Sequence, residues 1–93
     1  MKINRLDWTE ERRVHIARHN VSAEEVEDVV YGKHYAVRTK QGRYRLIGQT
    51  AQGRYIVIIL EPSDHDWFDP ITARNATKNE RKLYLRKIKS NEY

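Results

Sequence analysis

The stretch RYRLIGQTAQGRYIVIIL, residues 43–60, contains two apolar runs joined by a short polar turn. Residues 56–60 are five consecutive aliphatic residues, mostly β-branched, which is typical of a strand buried on both faces. The partner run, Tyr44–Gln49, alternates large and polar residues. The linker of residues 50–53 has hairpin length and ends in Gly53. We therefore predict an antiparallel hairpin at the centre of the fold.

The composition is that of one small domain with a very polar surface. The chain has 93 residues, 33% of them charged, and a mean hydropathy of −0.90. This length predicts a single domain over residues 1–93. The absence of cysteine excludes a disulfide framework and a thiolate metal site. No apolar run approaches the length of a signal peptide or membrane span, so we expect a cytoplasmic protein that does not contact the membrane.

The net charge of +5 is unevenly distributed along the chain. Residues 1–31 carry five Lys or Arg against seven Asp or Glu, whereas residues 74–89 carry seven basic residues against Glu80 alone. A basic segment of this kind favours a polyanionic partner, with nucleic acid first and an acidic protein second.

Two helices are predicted before the hairpin. Thr9 is a suitable N-cap for a helix that runs to about His19 and ends at Asn20, a residue that tolerates a left-handed turn. Ser22 and Glu25 form an S-x-x-E capping box for a second helix.

A third helix is predicted at the end of the chain. Thr77 and Glu80 form another capping box, and the helix runs to about residue 89. Its inner face is expected to carry Tyr84, Leu85 and Ile88.

Two further strands complete the predicted fold. Residues 35–39 alternate in polarity, and residues 67–73 form a last strand in which Pro70 indicates an edge or a bulge. The order is therefore α-α-β-β-β-β-α, an α+β domain whose four-stranded antiparallel sheet is packed by helices.

The histidines on the first helix are one candidate for metal binding. His15 and His19 are four residues apart, which is a metal-ligand spacing, but the sequence contains no H-E-x-x-H motif and indicates no third ligand. A pair of surface or core-edge histidines is the alternative, and we predict no metal site.

The arginines of the sheet are a candidate anion site. Arg43 and Arg45 are two residues apart on a strand and so point to one face, with Tyr44 on the other. Arg54 begins the paired strand, and Arg74 ends the last one. Guanidinium groups that converge on a sheet can bind a phosphate bidentately. An ordinary cationic surface explains the same spacing equally well.

Three blocks of sequence resemble the BrnT toxin family. IARHNVSAEEV at residues 16–26 looks like the family's KHGVSFEEA-type segment. RYRLIGQT followed by Gly53 and Arg54 resembles its RYxxxGxTxxGR hairpin, and ITARNATKNERKLY at residues 71–84 is similar to its ISARxATxxERxxY ending. The blocks occur in family order, with two departures. Asn20 replaces the usual Gly, and Ala23 stands where an aromatic residue is common.

The resemblance implies a RelE-like ribonuclease fold, cleavage of RNA without a metal or other cofactor, and neutralisation by a protein antitoxin. Antitoxins of this family commonly dimerise and bind operator DNA, which implies a hetero-oligomer on DNA. The basic residues 78–89 and the arginine face are then the surface that we expect an antitoxin to cover.

Metal-free RNA cleavage requires a base for the 2′-hydroxyl, cations for the phosphorane charge and a proton donor. Arg43 and Arg74 are our catalytic candidates for the charge, and Arg45 also suits that role. His19 is our candidate for the base because its ordinary pKa is near neutrality. Further RNA contacts are expected from Arg45, Arg54, Lys78, Arg81 and Tyr84.

Two simpler interpretations remain beside this one. Tyr84 on a helix stripe is more often a core residue than a catalyst, and Glu25 and Glu80 are first of all caps. For the whole chain, the alternative to a ribonuclease is a non-catalytic RelE-like module that docks an acidic or disordered partner, or binds nucleic acid.

Overall fold

The structure, a computed structural model, describes residues 1–90, apart from the side chains of His65 and Ser90. Residues 91–93, the end of the predicted domain, lie outside the described residues. The elements are, in chain order, β1 (Arg5–Leu6), α1 (Glu10–Ala17), α2 (Ala23–Tyr31), β2 (His34–Arg38), β3 (Tyr44–Gln49), β4 (Tyr55–Pro62), a 3-10 turn (Asp64–Asp66), β5 (Trp67–Asn75) and α3 (Lys78–Ser90).

The strands form one mixed sheet in the order β1-β5-β4-β3-β2. Strands β2 to β5 pair antiparallel, and β1 pairs parallel with β5. The α+β class is confirmed, whereas the predicted order α-α-β-β-β-β-α and the four-stranded antiparallel sheet are wrong in detail. The missed strand has only two residues, which is too short to show alternation, and its partner is distant in sequence.

The predicted hairpin is confirmed as the centre of the sheet. Between β3 and β4, the Thr50 N–H donates to the Arg54 carbonyl at 2.8 Å, and the Gly53 N–H donates to the Thr50 carbonyl at 2.9 Å. Gly53 has φ 94°, a left-handed conformation that glycine adopts without steric cost. The bulge predicted from Pro70 is also present, because the register shifts between Ile59 and Leu60.

Strand β4 is buried on both faces, as predicted. Ile56, Ile58 and Leu60 are fully buried in a core with α1 and α2, which defines the α1–α2 face of the sheet. Val57 packs with Ile47 of β3 and with α3, which defines the α3 face. The sheet therefore has a helical layer on each side.

The predicted caps position the helices. Thr9 Oγ1 accepts from the Arg12 N–H at 3.1 Å, and the Ser22–Glu25 capping box is formed. Helix α1 ends at Ala17, earlier than predicted, and Asn20 then adopts φ 59° in the turn that leads to α2. Among residues 1–90, no helix has the length and apolar character that a membrane span requires.

The inner face of α3 was predicted with one error. Tyr84 and Ile88 pack against the sheet together with Leu83, but Leu85 is 40% exposed. Residues 84 and 88 are four apart and share a helix face, whereas residue 85 is rotated by about 100° from residue 84.

Candidate functional site

The α3 face of the sheet carries three of the predicted arginines. Tyr44 packs into the core of the α1–α2 face, so its neighbours Arg43 and Arg45 lie on the other side. Arg45 is opposite Ile59 across the β3–β4 pair, and Arg74 is opposite Val57 across the β4–β5 pair. The part of this face that α3 leaves open is the arginine face.

Glu80 of α3 connects two of these arginines. The Nη1 and Nη2 groups of Arg74 donate to the two carboxylate oxygens of Glu80 at 2.7 and 3.0 Å. Nη1 of Arg45 lies 3.9 Å from the same Oε2 that accepts from Arg74. Arg45 and Arg74 are therefore brought together at one carboxylate.

Glu80 also caps the helix that carries it. Its Oε1 accepts from the Thr77 N–H at 2.8 Å, and Thr77 Oγ1 accepts from the Glu80 N–H at 3.2 Å. The pKa of Glu80 is lowered to about 2, and the hydrogen bond from Arg74 is the largest cause. Burial raises this pKa, whereas the hydrogen bonds with Thr77 lower it further. Glu80 is thus a fixed negative charge at neutral pH, and the pKa of Arg74 is raised in turn.

Both arginines at Glu80 remain accessible to a ligand. The side chain of Arg74 is 48% exposed and that of Arg45 is 36% exposed, whereas that of Glu80 is only 13% exposed. The Nε atom of Arg45 is buried and has no hydrogen-bond partner among the described residues. A buried donor without an acceptor is costly.

Arg43 lies farther along the same face. Its Nε is 3.7 Å from Glu61 Oε1, and Asp69 is opposite Glu61 across the β4–β5 pair. The pKa of Asp69 is raised, mainly by burial and then by the negative charge of Asp7. The charge of Glu61 raises this pKa further, whereas that of Arg12 lowers it. This end of the arginine face therefore offers carboxylates as well as a guanidinium.

Arg43 and Arg74 lie on the same face, but the structure does not bring them together as predicted, because Arg43 pairs with Glu61 and Arg74 with Glu80. Arg45 and Thr72 both pair with Ile59 of β4, so they lie at the same level of the sheet. Arg74 lies two residues from this level in one direction, and Arg43 lies two residues from it in the other. The backbones at Arg43 and Arg74 are thus offset by four residues, or about 13 Å along the strands, and by two strand spacings, or about 10 Å. Arg45, between them, is the nearer partner of Arg74.

Lys78 and Arg81, predicted to bind RNA, lie on the first turns of α3. Together with Lys82 and Leu85 they line a shallow groove on the outer side of the helix. The Arg81 guanidinium carbon also lies 4.7 Å from the centre of the Tyr55 ring, a cation–π contact that fixes its direction. These two residues extend the positive charge of the molecule along α3.

Arg54, also predicted to bind RNA, is placed in a different environment. Its Nη1 donates to both carboxylate oxygens of Glu25 at 3.2 Å and also to the Asn20 carbonyl. Its Nε donates to Asn75 Oδ1 at 2.7 Å. These bonds join the α1–α2 turn and the N-terminus of α2 to the end of β5. The structure thus does not bring Arg54 together with Arg45 and Arg74.

His19, predicted as the general base, is placed on the helical layer of the α1–α2 face. Its ring lies edge-to-face with that of His15, with 5.4 Å between the centroids. Helix α1 packs through Ile16 into the core of that face, so the sheet separates His19 from the arginine face. Among the described residues, no group of three or more His, Cys, Asp or Glu is arranged to hold a metal ion.

Tyr84, predicted as an RNA contact, occupies the core of the α3 face. The residue is 6% exposed, packs with Ile47 and Val57, and lies edge-to-face with Tyr55 at 6.0 Å. Burial raises the pKa of its hydroxyl. The structure gives Tyr84 the core role that its helical position also favoured.

Sequence reasoning missed the second role of Glu80. The T-x-x-E capping box was recognised, but its Glu also accepts from the arginine three residues before the Thr. The signal is the pattern R-x-x-T-x-x-E, in which the arginine lies at the end of β5, three residues before the capping Thr77. The strand–helix junction then directs both side chains to the same corner of the sheet.

Comparison with known proteins supports the same class of fold. The sequence matches no family model and no curated protein. The structure has a BrnT-like α+β fold, which confirms the resemblance identified from the three sequence blocks. One solved structure that it resembles is the 1.1 Å crystal structure of the Brucella abortus ribonuclease toxin BrnT. The TM-score is 0.60 at 26% sequence identity, and the match covers 84% of this chain and 99% of that one.

Proposed function

We propose that this protein is the toxin of a toxin–antitoxin system and acts as a metal-independent endoribonuclease of RelE-like fold. The observation that carries the proposal is the pair Arg45 and Arg74, held together by Glu80 on an open sheet face and still partly exposed. The likeness to a ribonuclease toxin supports RNA as the substrate.

The chemistry assigned to the arginine face is stabilisation of charge. When the 2′-oxygen of a nucleotide attacks the adjacent phosphorus, the O5′–P bond breaks, leaving a 2′,3′-cyclic phosphate and a 5′-hydroxyl. The phosphorane between these states carries more negative charge on its oxygens than the substrate does. Preorganised guanidinium donors therefore stabilise the transition state more than the ground state.

The mechanism also needs a base that takes the proton of the 2′-hydroxyl. His19 is our prediction for the base, but it lies on the other side of the sheet. Glu61 and Asp69 are on the arginine face, and the raised pKa of Asp69 makes its carboxylate a better base than an ordinary aspartate. We therefore propose these carboxylates as candidates beside His19.

The partner that we propose is an acidic protein antitoxin acting in the cytoplasm, in a complex that binds operator DNA. The groove on the outer side of α3 combines the basic side chains of Lys78, Arg81 and Lys82 with the exposed Leu85. That combination suits an acidic segment with an apolar anchor. It also supports the second candidate function, a binding module without catalysis.

Induced expression of the chain together with an RNA cleavage assay tests the proposal. A toxin should arrest growth, and the purified protein should cleave RNA in the presence of a chelator at the rate seen without it. Cleavage that is lost in chelator and restored by zinc or magnesium would contradict the metal-independent mechanism. Normal growth and intact RNA, with RNA or acidic protein still bound, would establish the binding module instead.

A further inference from the structure

We propose that Glu80 is a positioning residue of the arginine face, which holds Arg74 by one edge of its guanidinium so that the other edge is available to a phosphate. This inference rests on the proposed function and assigns to Glu80 a task beyond capping α3. It predicts that Glu80 determines how productively RNA is held more than how tightly it is bound.

The donors of Arg74 divide into a used set and a free set. A guanidinium has five N–H donors. Glu80 accepts one from Nη1 and one from Nη2, and the Asn75 carbonyl accepts from Nη1 at 3.0 Å. The remaining donors are Nε–H and one Nη2–H, for which the described residues provide no acceptor. These two donors are parallel and form the side-on edge, which matches two oxygens of one phosphate.

The oxygens of Glu80 are also divided. A capping box needs one carboxylate oxygen, and Oε1 fills that need by accepting from the Thr77 N–H. Oε2 accepts from Nη2 of Arg74 and faces Nη1 of Arg45 at 3.9 Å. Capping alone does not require this second oxygen, whereas holding two guanidinium groups side by side does.

The guanidinium of Arg45 lies beside the same carboxylate. Its Nε is buried without a partner, although Glu80 is close to Nη1 on the same guanidinium. The corner thus presents the free edge of Arg74 beside the partly exposed guanidinium of Arg45, on side chains that share Oε2. Because α3 and β5 fix Glu80 and Arg74, little reorientation is needed when a phosphate enters.

Glu80→Gln is the substitution that isolates this role. A glutamine can still accept from the Thr77 N–H through its oxygen, so the cap of α3 is retained. Its amide nitrogen would face Nη2 of Arg74, and two donors cannot form a hydrogen bond with each other. The guanidinium of Arg74 would then no longer be held by both Nη groups. Thr77→Ala is the matched control, because it removes the Oγ1 that accepts from the Glu80 N–H and leaves the contact between Glu80 and Arg74 in place.

The experiment separates binding from turnover. The dissociation constant is measured with a 2′-O-methyl RNA oligonucleotide of mixed sequence, which cannot be cleaved, and turnover with the corresponding unmodified RNA below the melting temperature of each variant. For Glu80→Gln we expect turnover about 10- to 100-fold slower, with binding equal or tighter because a negative charge has been removed. Thr77→Ala should melt earlier and keep its turnover.

Two results would overturn the role of Glu80. One is a Glu80→Gln variant whose turnover stays within about threefold of the parent, and the other is an equal loss of turnover in Thr77→Ala. A parent protein that binds RNA without cleaving it would contradict the proposed ribonuclease function, and a second measurement then decides about Glu80.

That second measurement is the NMR signal of the Arg74 Nε–H group. With the 2′-O-methyl RNA, we expect this signal to shift in the parent and in Thr77→Ala, and to shift less or broaden in Glu80→Gln. A signal that RNA does not move in the parent would show that the free edge of Arg74 is not a phosphate site. The same shift in all three proteins would show that Glu80 does not position it.

Discussion

At the scale of single residues, the arginines of this protein do different work although they look alike in the sequence. Arg54 donates to Asn20, Glu25 and Asn75 and is only 28% exposed, whereas Arg74 has one carboxylate partner and is 48% exposed. Each guanidinium uses three of its five donors, but those of Arg54 join three separate segments, which makes Arg54 a structural clamp. A guanidinium with a free edge at the surface is available to a ligand.

Arg54→Ala is therefore expected to destabilise the fold. Hydrogen bonds to charged groups contribute about 1.5–3 kcal/mol each, and the loss of Arg54 also leaves the half-buried Glu25 without its cation. We expect the free energy of unfolding to fall by about 2–3 kcal/mol in urea titrations. RNA cleavage below the melting temperature should be kept. Lys40→Ala, which removes one exposed charge, is the control. An Arg54→Ala variant that is as stable as this control and binds RNA weakly would restore the predicted RNA contact.

Glu80 predicts a specific dependence of stability on pH. Its pKa is lowered from 4.5 to about 2 in the folded protein, chiefly by the hydrogen bond from Arg74. A lowered carboxyl pKa stabilises the fold above the unfolded value, and that stabilisation is lost as the pH falls from 4.5 towards 2. Glu80→Gln should cost about 1–3 kcal/mol at neutral pH, and the difference from the parent should shrink over this acid range. Urea unfolding of both proteins at several pH values measures it, and a difference independent of pH would contradict the assignment.

At the scale of elements, the central hairpin is fixed by its contact with α2 as well as by its turn. An added Cβ on Gly48 of β3 would lie 2.6 Å from Cγ1 of Val29 and 3.1 Å from the Lys33 carbonyl oxygen. Both distances are too short for a methyl group. The glycine of the RYxxxGxTxxGR pattern is therefore explained by the close approach of α2 and of Lys33, which precedes β2, to the strand.

Gly48→Ala is expected to cost about 1–3 kcal/mol of stability through overpacking. The double variant Gly48→Ala with Val29→Ala removes the nearer contact, so its loss should be smaller than the sum of the two single losses. Thermal or urea unfolding of the four proteins measures this coupling. Strict additivity would show that the strand does not need glycine for space.

Most elements could be predicted because their signals are local. The aliphatic run at residues 56–60, the turn at Gly53 and the three N-terminal caps each depend on a few adjacent residues. Strand β1 could not be predicted, because two residues carry no periodicity and its partner Trp67–Phe68 is known only from the fold. The predicted inward placement of Leu85 is wrong for a related reason, since the adjacent apolar residues of α3 fit more than one face of the helix.

The candidate site was predictable in its residue types and less so in its geometry. Alternation along β3 was sufficient to put Arg43 and Arg45 on one face. The meeting of Arg45 with Arg74 depends on the sheet order and on Glu80, and the separation of His19 depends on which face α1 covers. Those are properties of long-range packing, which local patterns do not contain.

At the scale of the whole molecule, the charge asymmetry predicts how RNA binding responds to salt. For single-stranded nucleic acid, the logarithm of the binding constant falls with the logarithm of salt by about 0.7 per neutralised phosphate. If Lys78 contacts one phosphate, Lys78→Ala should reduce this slope by about 0.7, whereas Lys2→Ala in the acidic part of the chain should leave it unchanged. Fluorescence anisotropy with the 2′-O-methyl RNA measures both. Equal slopes in the parent and in Lys78→Ala would exclude the start of α3 from the interface.

The arginine face itself is tested most directly by the rate of RNA cleavage, in the presence of a chelator, for the parent, Arg74→Ala, Arg74→Lys and Arg43→Ala. Removing one preorganised donor from a developing charge typically costs about 100- to 1000-fold. We expect a loss of that size in Arg74→Ala and in Arg43→Ala with cooperative melting retained, and poor rescue by lysine, because one ammonium cannot replace a bidentate fork. If both alanine variants cleave RNA at the parental rate, the arginine face is not the active site.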